Sequence, residues 1–215
     1  MTEPYRFPDL PIEPIDAGST VMVLGPAHSG ARRLALRLSA AQAGEGTITI
    51  TTNARAERVV AKFRQAGLNT DESAIAFVDC VGNDETVEGL PVVCVSSPDD
   101  LTGIGMQFSK LYRDRYTSGT RRMRTTLYSL STLLTLTDLK PASRFLHVMA
   151  GRIDNADGLG VMLVDPRVHD DRTLGTISQF CDGRVEVEER DGKPHLRTRG
   201  LDGQPREWVP FEPEA

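Results

Sequence analysis

"TVMVLGPAHSGARRLALRLSAAQ", residues 20–42, is the stretch from which the fold can be read. Its first five residues are apolar and rich in valine, the pattern of a short strand. Its last twelve, "ARRLALRLSAAQ", place Ala31, Leu34, Ala35, Leu38 and Ala41 on one face of a helix. Between them, "GPAHSG" is a glycine-bearing turn. Strand, turn and helix in this order are the setting of a phosphate-binding loop, in which backbone N–H groups and the positive helix end face an anion. Gly25 and Gly30 have the spacing of such a loop, so the cofactor-binding candidates are Gly25, His28, Ser29, Gly30, Ala31 and Arg32. The lysine and the Ser/Thr expected after the second glycine are replaced by Ala31 and Arg32. No ammonium then reaches the β- and γ-phosphates, and one Mg²⁺ ligand is missing. Arg32 is cationic, but it stands at the hydroxyl position. Two glycines alone also fit any βα turn.

Working outward, strands and helices alternate. "TITITT" (47–52) is a β-branched strand, and "RAERVVAKFRQAG" (55–67) is a helix stopped by a glycine. "AIAFVDC" (74–80) and "LPVVCVS" (90–96) read as strands. "SPDDLTGIGMQFSKLYRDR" (97–115) opens with capping residues and continues with helical spacing of Leu101, Ile104, Phe108, Leu111 and Tyr112. "RTTLYSLSTLL" (124–134) reads as a strand running into a loop. "ASRFLHVMAGRI" (142–153) is a helix, "GLGVMLVD" (158–165) a buried strand and "DRTLGTISQF" (171–180) a short helix. "GRVEVEERDGKPHLRTRG" (183–200) is a hairpin turning at Asp191-Gly192. The expected fold class is α/β, a mostly parallel sheet flanked by helices with a C-terminal antiparallel hairpin. The chain divides into a Pro-rich extended arm (1–18), one domain (19–200) and a polar tail (201–215).

The 215 residues suffice for one such domain with a full core, and 39% apolar with 26% charged residues is the composition of a globular protein. A net charge of −5 gives no global attraction to nucleic acid. Arginine outnumbers lysine 21 to 4, and aspartate outnumbers glutamate 17 to 13, as in a GC-rich genome and a salty cytoplasm. No apolar run approaches the ~20 residues that span a bilayer, and the N-terminus has no apolar signal core, so no membrane partner and a cytoplasmic location are expected. Cys80, Cys94 and Cys181 are widely spaced and read as buried free thiols. With neither CxxC nor HExxH present, no metal site is expected.

From Val92 onward the order "VVCVSSPDDLTGIGMQFSKLYRD…RTTLYSLSTLL" resembles the RecA/KaiC-like branch of P-loop ATPases, where a strand and helix lead to the Walker B strand. "RFLHVMAGRIDNADGLGVMLVD" resembles the next helix and strand, with Asp165 at a position where the family often carries a polar sensor. "FCDGRVEVEERDGKPHLRTRG" is similar to its terminal hairpin. The likeness covers roughly residues 18 to 200, and uncharacterised haloarchaeal KaiC-like proteins are similar. The resemblance implies a RecA-like sheet and a nucleotide at a subunit interface. It also places four departures: Ala31 and Arg32 for the Walker A lysine and threonine, Asn53 for the catalytic glutamate, and Tyr128 for the Walker B aspartate, with Ser129 kept. Asparagine cannot take a proton from an attacking water. Asp79, at the end of an apolar strand, is the alternative Walker B candidate.

The resemblance with its departures implies a non-catalytic, regulatory or scaffolding domain in signalling or assembly, with no cofactor expected and ATP the possible one. Its alternatives are an ATP-binding protein or ATPase with an altered loop, using Arg32 or Arg33, and an accessory factor in DNA transactions. The last rests on Arg113, Arg115, Arg121, Arg122, Arg124 and Tyr116, a basic cluster that also reads as a solvated loop and would bind DNA weakly, through phosphates. "DPRVHDD" (165–171) groups His169 with Asp165, Asp170 and Asp171, as a metal site or as a polar loop. Tyr5, Phe7, Leu10 and Ile12 make the arm a candidate contact with a protein partner or a second copy, and removing residues 1–14 is expected to weaken association more than stability.

Overall fold

The computed structural model describes residues 2–72, 74–82, 86–87 and 89–212, so the extreme ends of both terminal segments lie outside the described residues. In chain order the elements are β1 (Thr20–Leu24), α1 (Ala31–Ser39), β2 (Glu45–Thr51), α2 (Ala56–Gln65), β3 (Ile75–Asp79), β4 (Thr86–Val87), β5 (Leu90–Cys94) and α3 (Leu101–Thr117). There follow β6 (Arg122–Tyr128), α4 (Leu130–Leu136), α5 (Leu139–Asn155), β7 (Leu159–Val164), a 3-10 turn (Pro166–Val168), α6 (Asp171–Ser178), β8 (Gly183–Arg190), β9 (Lys193–Arg199) and β10 (Val209–Pro210).

They form one ten-stranded sheet of order β10-β9-β8-β1-β7-β6-β2-β3-β5-β4. From β8 to β5 every neighbouring pair is parallel, and β4, β9 and β10 close the edges antiparallel. The hairpin β8–β9 turns where the sequence places it: Asp191 and Gly192 have φ of 51° and 72°, the left-handed pair that an Asp-Gly turn supplies. The strand-into-loop expectation for residues 124–134 fails in its second half. Residues 130–136 form α4 rather than a loop, with Leu130 and Leu133 packed beneath it.

Strand alternation sorts the core into two layers. Ile48, Ile50, Met123, Leu127 and Met162 face α3, α4, α5 and α6. Val21, Val23, Phe77, Val161 and Leu163 face α1, α2 and the N-terminal arm. On this second face β2 and β6 also bury polar side chains: Thr47, Thr49, Thr51, Arg124, Thr126 and Tyr128. Thr47 Oγ1 donates to Ser39 O (2.6 Å) and Thr126 bonds Ser39, whereas the Thr49 hydroxyl is buried without a hydrogen-bond partner among the described residues.

Arg124 is fully buried and explains how the arm is held. Its guanidinium pairs with Glu45 at 2.6 Å and donates to the carbonyls of Leu38 and Arg6. It also lies 5.2 Å from the ring centroid of Tyr5 and 5.0 Å from that of Phe7, favourable cation–π distances. Arg122 stacks over Tyr5 at 4.2 Å and donates to Glu3 and Pro4 carbonyls. Tyr5 and Ile15 exchange backbone hydrogen bonds, and Tyr5 Oη donates to Asp157 O at 3.0 Å. Tyr5, Phe7, Ile12 and Ile15 are buried in the same core layer as α1 and the hairpin strands. The apolar residues that made the arm a candidate contact are therefore packed in the chain's own core, and the expected consequence of removing it shifts from association to stability. Arg37 ties both terminal segments down, donating to Asp9 O and Glu212 O.

Candidate functional site

Parallel strands align their C-terminal ends along one edge of the sheet, where α/β folds place their ligands. Here that edge brings the turn after β1, the start of α1 and the end of β6 together. Gly30 is the N-cap of α1, with φ 94°, and no side chain caps the helix. A Cβ at Gly30 would lie 2.9 Å from Pro194 Cβ and 3.4 Å from Phe211 Cζ, so the hairpin and the C-terminal segment press on the loop from outside. A Cβ at Gly25 would meet Ala31 Cβ at 2.5 Å and Ser29 Oγ at 2.7 Å, so the loop is filled from inside as well. Only glycine fits either position.

The loop amides are largely engaged by the chain itself. Gly25 N–H donates to Val164 O (3.1 Å), Ser29 N–H to Pro26 O (3.1 Å) and Ala31 N–H to Ser29 Oγ (3.4 Å). Ala27 N–H donates to Asp165 Oδ2 at 3.0 Å. A carboxylate of the chain itself thus occupies one amide of the loop and disfavours a second anion beside it.

Beside the loop lies a cavity of ≈ 690 Å³, lined by His28, Arg32, Lys62, Tyr128 and Glu189 among others. His28 takes φ 75° at the rim, and Arg32 is exposed. Tyr128 is 1% exposed, and its hydroxyl accepts from Lys62 Nζ at 3.3 Å. Burial holds the Lys62 ammonium below its usual 10.5, and the nearby charges of Arg32 and Arg58 lower it further. Burial raises the Tyr128 phenol, with Arg32 opposing. Tyr128 therefore remains a proton-bearing hydroxyl at neutral pH.

Of the other candidates, Asn53 is exposed in the turn after β2 and does not line this cavity. Ser129 is bound to Thr52, whose hydroxyl both accepts the Ser129 N–H (3.0 Å) and donates to the Ser129 carbonyl (2.5 Å). Asp79 is buried and accepts from the backbone N–H groups of Ala56 (2.6 Å), Val81 (2.8 Å) and Gly82 (2.8 Å), which makes it the fastener of two turns. Asp165 and Asp170 cap the 3-10 turn and α6 through Arg167 N–H and Thr173 N–H. Among the described residues no group of three His, Cys, Asp or Glu side chains is placed to hold a metal ion. Burial pushes the Cys80 and Cys181 thiols up to about 12. The arginine cluster is split: Arg124 is buried, Arg122 holds the arm, Arg115 donates to Glu72 and Ile75 carbonyls, and Arg121 stacks on Tyr116 at 4.0 Å. Lys62 and Arg58 are absent from the candidates read off the sequence. Their signal is there: Arg55, Arg58, Lys62 and Gln65 form one polar stripe of α2, beside its apolar stripe Ala56, Val59, Val60 and Phe63.

The sheet order, the glycine turn after β1 and the terminal hairpin define a RecA-like α/β domain. A crystal structure of a KaiC-like protein from the hyperthermophilic archaeon Pyrococcus horikoshii OT3 has the same fold, with a TM-score of 0.73 and 16% identity over 100% of this chain and 98% of that one. The chain belongs to a family of unknown function, DUF7504, whose model matches residues 18–187. No curated protein is significantly similar to it. No helix among the described residues is long and apolar enough to cross a membrane.

Proposed function

We propose that this chain is a non-catalytic RecA/KaiC-like domain with a regulatory or scaffolding role, acting through protein contacts. The observation that carries the reading is the Asp165 carboxylate on the Ala27 amide at 3.0 Å. It gives the loop an internal anion in place of a phosphate. Ala31 and Arg32 of the loop and Tyr128 beside it supply neither a carboxylate base nor a Mg²⁺ ligand set, and Asn53, which the resemblance puts at the catalytic glutamate's position, lies outside the cavity. The exposed Met106, Leu136 and Val148 lie on α3, α4 and α5, three helices of one face, and support contact with a protein. The internal engagement of Arg115, Arg122 and Arg124 favours this partner over DNA.

The test is phosphate release from ATP with Mg²⁺ by the purified chain. The expected rate equals that of buffer alone. Steady release that is removed by Arg32→Ala, an exposed position, defeats the reading and favours an ATPase with an altered loop.

A further inference from the structure

The exposed apolar side chains of this molecule are confined to one side. Among the described residues, no large apolar side chain is exposed on α1, α2, the arm or the hairpin, whereas Met106 on α3, Leu136 on α4 and Val148 on α5 are 68%, 53% and 49% exposed. We infer that the α3–α5 surface is a docking site for an acidic amphipathic helix of a protein partner.

Hydrogen bonds fix how the two helices lie. Arg152 Nη1 donates to Gly105 O at 3.0 Å and also to Ser109, and Tyr112 Oη lies 3.5 Å from Ala156 O. Successive residues of α3 therefore meet successive residues of α5, and the helices run side by side in one direction. Met106 adjoins Gly105, and Val148 stands one turn before Arg152, so the two apolar side chains flank the same seam. Gly105 and Gly151 leave room beside them: a Cβ on either would meet no atom of another element within 4 Å. Helical spacing extends each row. Lys140, Arg144 and Val148 are exposed at i, i+4 and i+8 on α5, and Met106, Lys110 and Arg113 at i, i+4 and i+7 on α3. The apolar centre thus has a pair of cations at each end.

The charges select the partner. Lys110, Arg113, Lys140 and Arg144 have no ion-paired carboxylate among the described residues. Asp114 is turned about 140° around α3 from Ser109, which faces α5, at 3.6 residues per turn. Asp154 lies against Gly18, Asp157 accepts from Thr2 Oγ1 at 2.8 Å, and Asp100 caps α3 through Gly103 N–H at 2.8 Å. Asp99 and Asp138, at the helix starts, are left beside four cations. A symmetric contact with a second copy sets the patch against itself, and with both ends cationic either alignment opposes like charges. An apolar centre does not match a nucleic-acid backbone. A helix with apolar side chains at i, i+3, i+4 and i+7 and carboxylates toward its ends matches both the centre and the cations. Methionine at the centre suits such a contact, being enriched in interfaces. Arg113 follows Tyr112, which is level with Ala156, so it stands about 25 Å along the surface from Lys140, about five turns of helix.

Fluorescence anisotropy of the full chain with a labelled peptide of about five helical turns, leucines on one face and glutamates at both ends, tests the surface. Binding is expected below about 1 mM, weakening as salt screens the exposed charges. Met106→Glu weakens it at least about tenfold, the scale of a central interface residue. The double variant Lys110→Glu with Arg144→Glu loses the glutamate peptide and takes up its lysine counterpart, which the wild type does not bind. All three positions are exposed, so these variants keep the core and melt with the wild type. Absence of binding at about 1 mM overturns the inference. So does equal binding of both peptides by the wild type, or indifference to either variant. Light scattering and flotation with phosphatidylglycerol vesicles form the other arms. A dimer dispersed by Met106→Glu assigns the surface to a second copy, and vesicle binding lost in Met106→Glu assigns it to a lipid surface; each overturns the acidic helix. This partner class rests on the protein-contact role proposed above, yet the two fail separately: phosphate release from ATP defeats the non-catalytic reading and leaves the surface standing, whereas failure of the peptide to bind does the reverse.

Discussion

Two basic regions of this molecule differ in a way their sequences conceal. Residues 113–124 concentrate five arginines in twelve positions, yet Arg124 is buried, Arg122 clasps the arm and Arg115 is tied to backbone carbonyls. Arg32 and Lys62 are thirty positions apart, yet they share one cavity, and neither has an ion-paired carboxylate among the described residues. Charge density along a chain reports what is near in sequence. Whether a cation is free to meet a ligand depends on the carbonyls and carboxylates that the fold brings to it.

The largest effect expected of the first region comes from deleting residues 2–14. This removes Tyr5, Phe7 and Ile12 from the core and leaves Arg122 and Arg124 without their arm acceptors. Full burial of each such side chain contributes about 1.5–3 kcal/mol, so the loss rivals the ~5–15 kcal/mol stability of an ordinary domain. Thermal melts and light scattering of the truncated chain check it. A truncated protein that melts like the full chain but dissociates more readily restores the arm as an intermolecular contact.

Arg124→Ala is next. It leaves Glu45, whose side chain is 7% exposed, buried without its main partner, and strips a donor from Leu38 O and Arg6 O. Breaking a buried pair in this way costs about 3–5 kcal/mol, read as a shift in denaturant midpoint. A loss below about 1 kcal/mol, the scale of surface pairs, would place Arg124 with exposed arginines after all.

The smallest effect sharpens the second region. Burial, Arg32 and Arg58 hold the Lys62 ammonium below its usual 10.5, so the unfolded chain binds that proton more tightly. Charged Lys62 therefore opposes folding at neutral pH, and the opposition fades as pH rises through its folded-state pKa toward 10.5. The wild type is expected to gain slightly more stability over that window than Lys62→Met, measured by urea unfolding at each pH. Equal gains would mean that Lys62 already has a counter-charge.

Much of the fold was legible because its central elements keep a clean period. Residues 31–42 repeat apolar side chains at helical spacing, and Asp191-Gly192 names its own turn. Helix α4 was not legible, because "LSTLLTL" is seven residues of leucine and hydroxyl side chains following a strand, without a charge to mark a polar face. Arg124 misled for a related reason: within the Arg113–Arg124 cluster it reads as part of a solvated basic loop, whereas it lies on β6 and is buried beneath the arm. At the candidate site the glycine turn and Tyr128 could be found by pattern. Lys62 could not, since only the packing of α2 against β3 beside α1 brings it to Tyr128.

Arg37 closes the backbone into a ring without a covalent bond, since one guanidinium holds the carbonyls of Asp9 and Glu212. Opening either end strips a ligand from a side chain that is itself 4% exposed, which weakens the hold on the other end. In hydrogen exchange the amides of Ile15 and Phe211, hydrogen-bonded to Tyr5 O and Pro194 O, are therefore expected to lose protection together, as one cooperative unit, rather than fray as two independent tails.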